Sequence, residues 1–387
     1  MSLARSAALD DPQVIRHAGR ELLALALLDA RNALLALLPA LQATGDAALW
    51  RQLLEAGAWQ EWWISRHLQR HRGHGDATAT APAPRLPGLE PRLDDWREGR
   101  EPVTCDALRA YLAATLDLTL DLLATAPESD AGLFLYRQAL RHEDRLVAGL
   151  REALREDAPP PRPERAPLLV PPRRWRLGTP VAGGGFVPEA EGGDEPVAIP
   201  GFEIDAQPVN WARFAEFADD GGYDRDDLWT EAGRRWRDGT GRRAPAFVEQ
   251  FAGGVLLQRG HGARARLEKA PPQQPAAHVT RHEADAWCRW AGRRLPTEPE
   301  WALAASTLPR LGFVWGDVHE WVTGGARWLG GAAHDAPAAG LELPRPGWGV
   351  LRGSSWATPP RWRHANARRF APPGDDGPCA GFRSCAA

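Results

Sequence analysis

The feature that most constrains this chain lies near its middle. In Asp157–Arg174 (DAPPPRPERAPLLVPPRR) seven of eighteen residues are proline. Proline lacks the amide hydrogen that a helix needs, and its ring clashes with the preceding turn, so no helix crosses this stretch. The two sides differ in texture. Before it, apolar residues recur at helical spacing through Val14–Leu41, Leu49–Leu68, Cys105–Leu123 and Leu133–Leu154, with almost no strand-like alternation. Four such segments predict an up-and-down helical bundle over residues 1–155. A polar, proline-rich connection, His71–Val103, joins the second to the third and must run over the bundle surface. After residue 174, Gly, Pro and Trp dominate. Helices are predicted there at Asn210–Asp219, at His282–Ala291 behind a Thr280 cap, and from Thr297, where Glu300 completes a capping box. The chain therefore reads as α+β: a bundle over 1–155, a linker over 156–174, and a domain over 175–387 with little regular secondary structure.

Charge narrows the function classes. Among 387 residues, 47 basic side chains face 50 acidic ones, and Lys269 is the sole lysine. That balance argues against a nucleic-acid partner or a polybasic membrane surface. The apolar run Leu22–Leu41 suggests a membrane span, but Asp29 and Arg31 sit at its centre, each costing roughly 2.5–3.5 kcal/mol there. A buried bundle helix is expected instead, with no membrane partner. Asp10 and Asp11 precede any apolar core and argue against a secretory leader. The four scattered cysteines, Cys105, Cys288, Cys379 and Cys385, suit reduced thiols in a cytoplasmic protein better than a disulfide framework.

Specific strings carry more. GRRLPTEPEWALAAS (Gly292–Ser306) resembles the signature of formylglycine-generating-enzyme-like domains, which are C-type-lectin-like in fold. QPVNWARFAEFADDGGY (Gln207–Tyr223), DVHEWV (Asp317–Val322), VLRGSSWAT (Val350–Thr358) and AGFRSC (Ala380–Cys385) follow that family's order. In the first half, QEWWISRHLQR (Gln60–Arg70), RAYLAATLDLTLDLL (Arg109–Leu123) and LYRQALRHED (Leu135–Asp144) resemble the DinB-like bundle fused to this domain in ergothioneine-type sulfoxide synthases, the selenoneine synthases being the most similar subgroup. The resemblance implies a four-helix bundle holding Fe(II) through three histidines at the domain interface. It also implies O₂-dependent joining of a thiol or a selenosugar to the imidazole of trimethylhistidine, a histidine betaine. Three neutral imidazoles suit ferrous iron and leave open coordination positions.

Position by position, the implied ligand set is altered. LLEAGAWQEWW (Leu53–Trp63) places Glu55 where the family has its first histidine. In HEDRLVA (His142–Ala148), His142 matches a ligand, Leu146 replaces the next one, and Ala148 replaces a supporting glutamate. The metal candidates are thus His142 and Glu55, with Leu146 at the third position. His67, His71, His74 and His319 are possible substitutes. His278 and His282 share the i, i+4 spacing, but Thr280 caps a helix between them, so their rings need not share a face. Formylglycine generation would need a copper-binding cysteine where Thr358 stands, and Cys379 and Cys385 read as buried small residues. For the substrate pocket the motifs nominate Trp321, Arg352, Trp356, Arg368, Arg369, Phe382 and Arg383. Within RRFA (Arg368–Ala371), Arg369 stands where relatives carry asparagine, and His319 stands where they carry tryptophan. Trp and Arg at such motif positions equally suit a core role, filling space and satisfying buried carbonyls.

Two functional readings follow. One is a diverged, catalytically retired relative that keeps an interdomain pocket for a small molecule. The other is an active iron enzyme forming a C–S or C–Se bond through an altered metal shell.

Overall fold

The computed structural model describes residues 7–66, 104–329 and 343–387. His67, His71, His74 and the connection His71–Val103 lie outside them. The first half is helical: α1 (Arg20–Ala36), α2 (Leu38–Thr44), α3 (Ala47–Gln60), α4 (Cys105–Ala124) and α5 (Asp130–Leu154). The expected first segment is thus three helices, a short one at Pro12–Arg16 preceding α1 and α2. Pro39, in the first turn of α2, cannot donate to the preceding turn, and the helix restarts at Leu38. α3 runs on into a π-helical turn, Glu61–Arg66. α1 and α3 both pack against α4 and α5. Arg20–Thr44 is long and apolar enough to cross a membrane by length and composition. In the fold, Leu23, Ala26, Leu27, Ala30 and Leu34 of α1 are buried in the bundle. Arg31 is buried too, its Nε and Nη2 2.5 and 3.1 Å from the carboxylate of Glu143 on α5.

The second half holds short strands in several small sheets. Among the described residues, β1 (Leu168–Val170), β4 (Phe202–Ile204), β13 (Cys385–Ala386) and β8 (Arg293–Arg294) form one, in the order β1-β4-β13-β8. A second has the order β11-β10-β9-β12, from β9 (His319–Gly325), β10 (Gly349–Arg352), β11 (Arg368–Ala371) and β12 (Ala380–Phe382). In it β12 alone runs parallel to its neighbour. β2 (Arg173–Leu177) pairs with β3 (Glu195–Ile199), and β5 (Val248–Gln250), β6 (Leu256–Arg259) and β7 (Arg266–Lys269) form a meander. The proline-rich stretch is therefore more than a linker. Leu168–Val170 is an edge strand, where missing amide hydrogens do least harm, and Arg162 pairs with Asp317 at 2.7 Å.

Local signals set the helices here. α6 (Trp211–Asp219) is capped by Asn210, and both α8 (Arg281–Trp290) and α9 (Glu298–Thr307) start with complete capping boxes, Thr280/Glu283 and Thr297/Glu300. One helix was not expected: α7 (Glu231–Thr240), capped by Thr230. Its two internal glycines and dense charge hide its period.

Candidate functional site

A cleft of about 300 Å³ opens between α5 and the C-terminal domain. From α5 come Arg141, His142, Arg145, Leu146 and Glu152, and from the other wall Glu191, His319, Thr358, Trp362, Arg368 and Arg369. Helical spacing explains the first set, since positions 142, 145, 146, 149 and 152 share one helix face.

His142 stacks on Trp59 of α3, ring centroids 5.3 Å apart at 22°. Burial, aided by the positive charge of Arg145, holds its imidazole down at about 3, so the ring is neutral at ordinary pH. Leu146, one turn on, also lines the cleft, as does Ala148. Glu55 does not join them. It is exposed, and Gln52, one turn earlier on α3, is the residue of that helix lining the cleft. The reason is the helix face: Leu53, Leu54 and Ala56–Gln60 fill the bundle interior, which leaves position 55 outward. No three His, Cys, Asp or Glu side chains among the described residues are grouped so as to hold a metal ion. The described residues around His142 do not fit a ferrous centre.

The floor of the cleft is built on Glu152. Its fully buried carboxylate accepts the Ser355 hydroxyl at 2.5 Å and the Cys379 amide at 3.2 Å. His319 Nε2 and Arg369 Nη1 lie 3.6 and 3.8 Å from it. Burial alone would raise this carboxyl; the neighbouring charges of His319 and Arg369 and the two hydrogen bonds hold it below its ordinary value. Glu191 meets Arg141 at 3.4 Å and His364 at 3.2 Å. Glu189, in the same short turn, has its carboxyl raised to about 7 by burial, against the pull of Arg141.

The seven nominated pocket residues divide. Arg368 and Arg369 line the cleft, although Arg368 is buried and spends its guanidinium on Glu298, at 2.5 and 3.1 Å. Trp356 lines a smaller cavity and lies under Arg151. The other four lie in the core, the second of the two roles that their motif positions suit. The Trp321 indole donates to the Val279 carbonyl at 2.8 Å. Phe382 packs edge-on against Trp287 and Phe214. Arg352 bonds Glu298 and the Ala365 carbonyl, and Arg383 clamps Glu320 with two bonds. Both faces of β10 and β12 are buried, and Arg383, just past β12, is enclosed with them; a motif string does not display that. His278 and His282 do not converge: one bonds the Asp376 carbonyl, the other lies beside Trp236. Cys379 and Cys385 are buried free thiols, the latter pushed up to about 12 by burial.

Sequence reasoning missed the residues that join the halves. Arg361 reaches from the C-terminal domain to Asp144 on α5, at 2.6 and 2.8 Å, and to Asp29 on α1 at 2.8 Å. The Trp362 indole donates to the same Asp144 at 2.7 Å. The unusual density of Trp, Arg and His in RWRH (Arg361–His364) was the available signal.

Residues 162–323 match the FGE-sulfatase family, described as a sulfatase-modifying factor enzyme 1-like domain. A hercynine oxygenase of Mycolicibacterium thermoresistibile is 32% identical over 335 residues, covering 76% of this chain and 69% of that protein. One from Mycolicibacterium smegmatis is 36% identical over 227 residues, 54% of this chain and 51% of that protein, so the match spans about half its length. A formylglycine-generating enzyme of Streptomyces coelicolor is 32% identical over 179 residues, 43% of this chain and 55% of that enzyme. The likeness to the M. thermoresistibile protein takes in both the bundle and the C-terminal domain, and on that extent the chain belongs to the hercynine oxygenase family, the ergothioneine-type sulfoxide synthases.

Proposed function

We propose that this chain is a diverged member of that family which keeps the interdomain cleft as a binding site for a small histidine-betaine-like molecule and has given up the iron chemistry. The observation that carries the reading is the wall around His142: its neighbour one turn on is Leu146, Glu55 is exposed, and no ligand group completes the set among the described residues. A lone neutral imidazole stacked on an indole is a poor metal site without oriented partners. The DinB-like character of the bundle and the likeness to selenoneine synthases belong to the same proposal and rest on the motif strings.

The cleft suits such a ligand. Its volume falls at the small end of ligand pockets. Arg145 and Arg369 offer cationic groups for a carboxylate, while Trp362 and the acidic side chains of Glu191 and Glu152 suit a methylated ammonium. Calorimetric titration of the purified chain tests both halves of the proposal. Trimethylhistidine should bind with 1:1 stoichiometry, and Co(II), standing in for Fe(II), should give no stoichiometric binding. Tight 1:1 Co(II) binding would restore the iron-enzyme reading with its thiol or selenosugar donor. Silence toward trimethylhistidine would remove the assigned ligand.

A further inference from the structure

Glu152 also lines a second, smaller cavity of about 30 Å³, where the end of α5 meets the C-terminal domain. Among the described residues three non-glycines adopt positive φ: Arg155 (50°), Phe247 (67°) and His278 (58°). All three line this cavity. The Arg155 guanidinium lies 3.9 Å over the Phe247 ring, and that ring meets His278 edge-on at 5.0 Å. Such backbone conformations persist only where surrounding structure enforces them, and they gather at sites with a role.

Two guanidiniums face this space, Arg155 buried and Arg259 half-buried. Arg155 gives its terminal nitrogens to the Ala153 and Gly260 carbonyls at 3.0 and 2.7 Å, and its Nε is buried with no hydrogen-bond partner. Arg259 donates to Gln274 at 3.0 Å. Among the described residues neither forms an ion pair. The two carboxylates on the lining do not neutralise them. Glu152 is engaged by Ser355 and Cys379 and flanked by His319 and Arg369. Asp157 is exposed and lies 3.7 Å from Arg151. Glu268, on the neighbouring strand, attracts Arg259 through space, whereas the buried Arg155 Nε is a donor without an acceptor and calls for a bound water or ion.

We propose that this cavity is a binding site for a small inorganic anion of the halide class, held between Arg155 and Arg259. The volume admits one such ion or about two waters and excludes a metabolite. Carbonyl partners of Arg155 come from both domains, so the ion strengthens the joint between them.

The test uses the full chain and no unidentified ligand. Thermal unfolding is followed in sodium chloride, sodium bromide and sodium gluconate at equal ionic strength, and crystals grown in bromide are measured at its absorption edge. Chloride and bromide should raise Tm above gluconate by about 2 °C at a tenfold excess over Kd. An anomalous peak should lie within contact distance of Arg155 Nε and the Arg259 guanidinium. Arg259→Met should abolish the halide dependence; should that variant not fold, the two wild-type readouts still decide. Equal Tm in all three salts with water alone in the cavity overturns the proposal. So does a bromide peak that appears only at molar soak concentrations without a solution shift, or a shift that survives in Arg259→Met.

Discussion

Glu189 lies in the turn that seats the C-terminal domain on α5, and its carboxyl is raised from 4.5 to about 7, chiefly by burial and partly offset by Arg141. A carboxyl whose folded value lies above its unfolded value favours the folded state only while protonated. Its contribution is complete below about pH 4.5 and is lost as pH climbs toward 7. At about 1.4 kcal/mol per pH unit, the full effect would be about 3 kcal/mol. The environment of the carboxyl is only partly closed to water, so screening leaves about half of that, near 1.5 kcal/mol. Glu189→Gln keeps the shape and removes the charge. It should match wild type at pH 4.5 and exceed it in stability by about 1.5 kcal/mol at pH 8, as read from urea unfolding at the two pH values. Taking the difference between variant and wild type cancels the other titrating groups. A difference that does not change with pH, or a variant less stable than wild type at pH 8, would refute the reasoning.

Three further outcomes follow from the same geometry. Arg361→Met leaves Asp144 buried with the Trp362 indole as its remaining donor and should cost about 3–5 kcal/mol; adding Asp144→Asn should return part of it in the same unfolding assay. The His142 imidazole, held at about 3 by burial and Arg145, should show no titration between pH 5 and 8 by NMR, and its contribution to stability, present above pH 6.5, should fall away only as pH drops toward 3. Gly57→Ala would place a methyl 2.6 Å from the Tyr111 ring on the facing helix α4 and should cost about 1–3 kcal/mol in unfolding experiments; a neutral result would mean that α3 and α4 can move apart freely.

What the sequence determined by itself is what short-range physics controls. Asn210, Thr280 with Glu283, and Thr297 with Glu300 start their helices because each cap is complete within four residues. Helical period marks α4 and α5 to within a few residues, and the charges inside Leu22–Leu41 argue for a bundle helix, in which Arg31 meets Glu143. The expectations that failed depended on partners distant in the chain. Trp321, Arg352, Phe382 and Arg383 keep their motif identities whether they face a cleft or the core; layers packed on both faces of their sheet and partners such as Glu298 and Glu320 hold them in the core. Glu55 occupies a ligand position in the string, but packing of Leu53, Leu54 and Trp59 set the helix face that leaves it exposed. The floor of the cleft brings Glu152 together with His319, Ser355 and Arg369, separated by more than 160 residues of sequence. Only the docking of two domains makes those groups neighbours, because electrostatic and steric complementarity between distant segments leaves no local pattern in the chain.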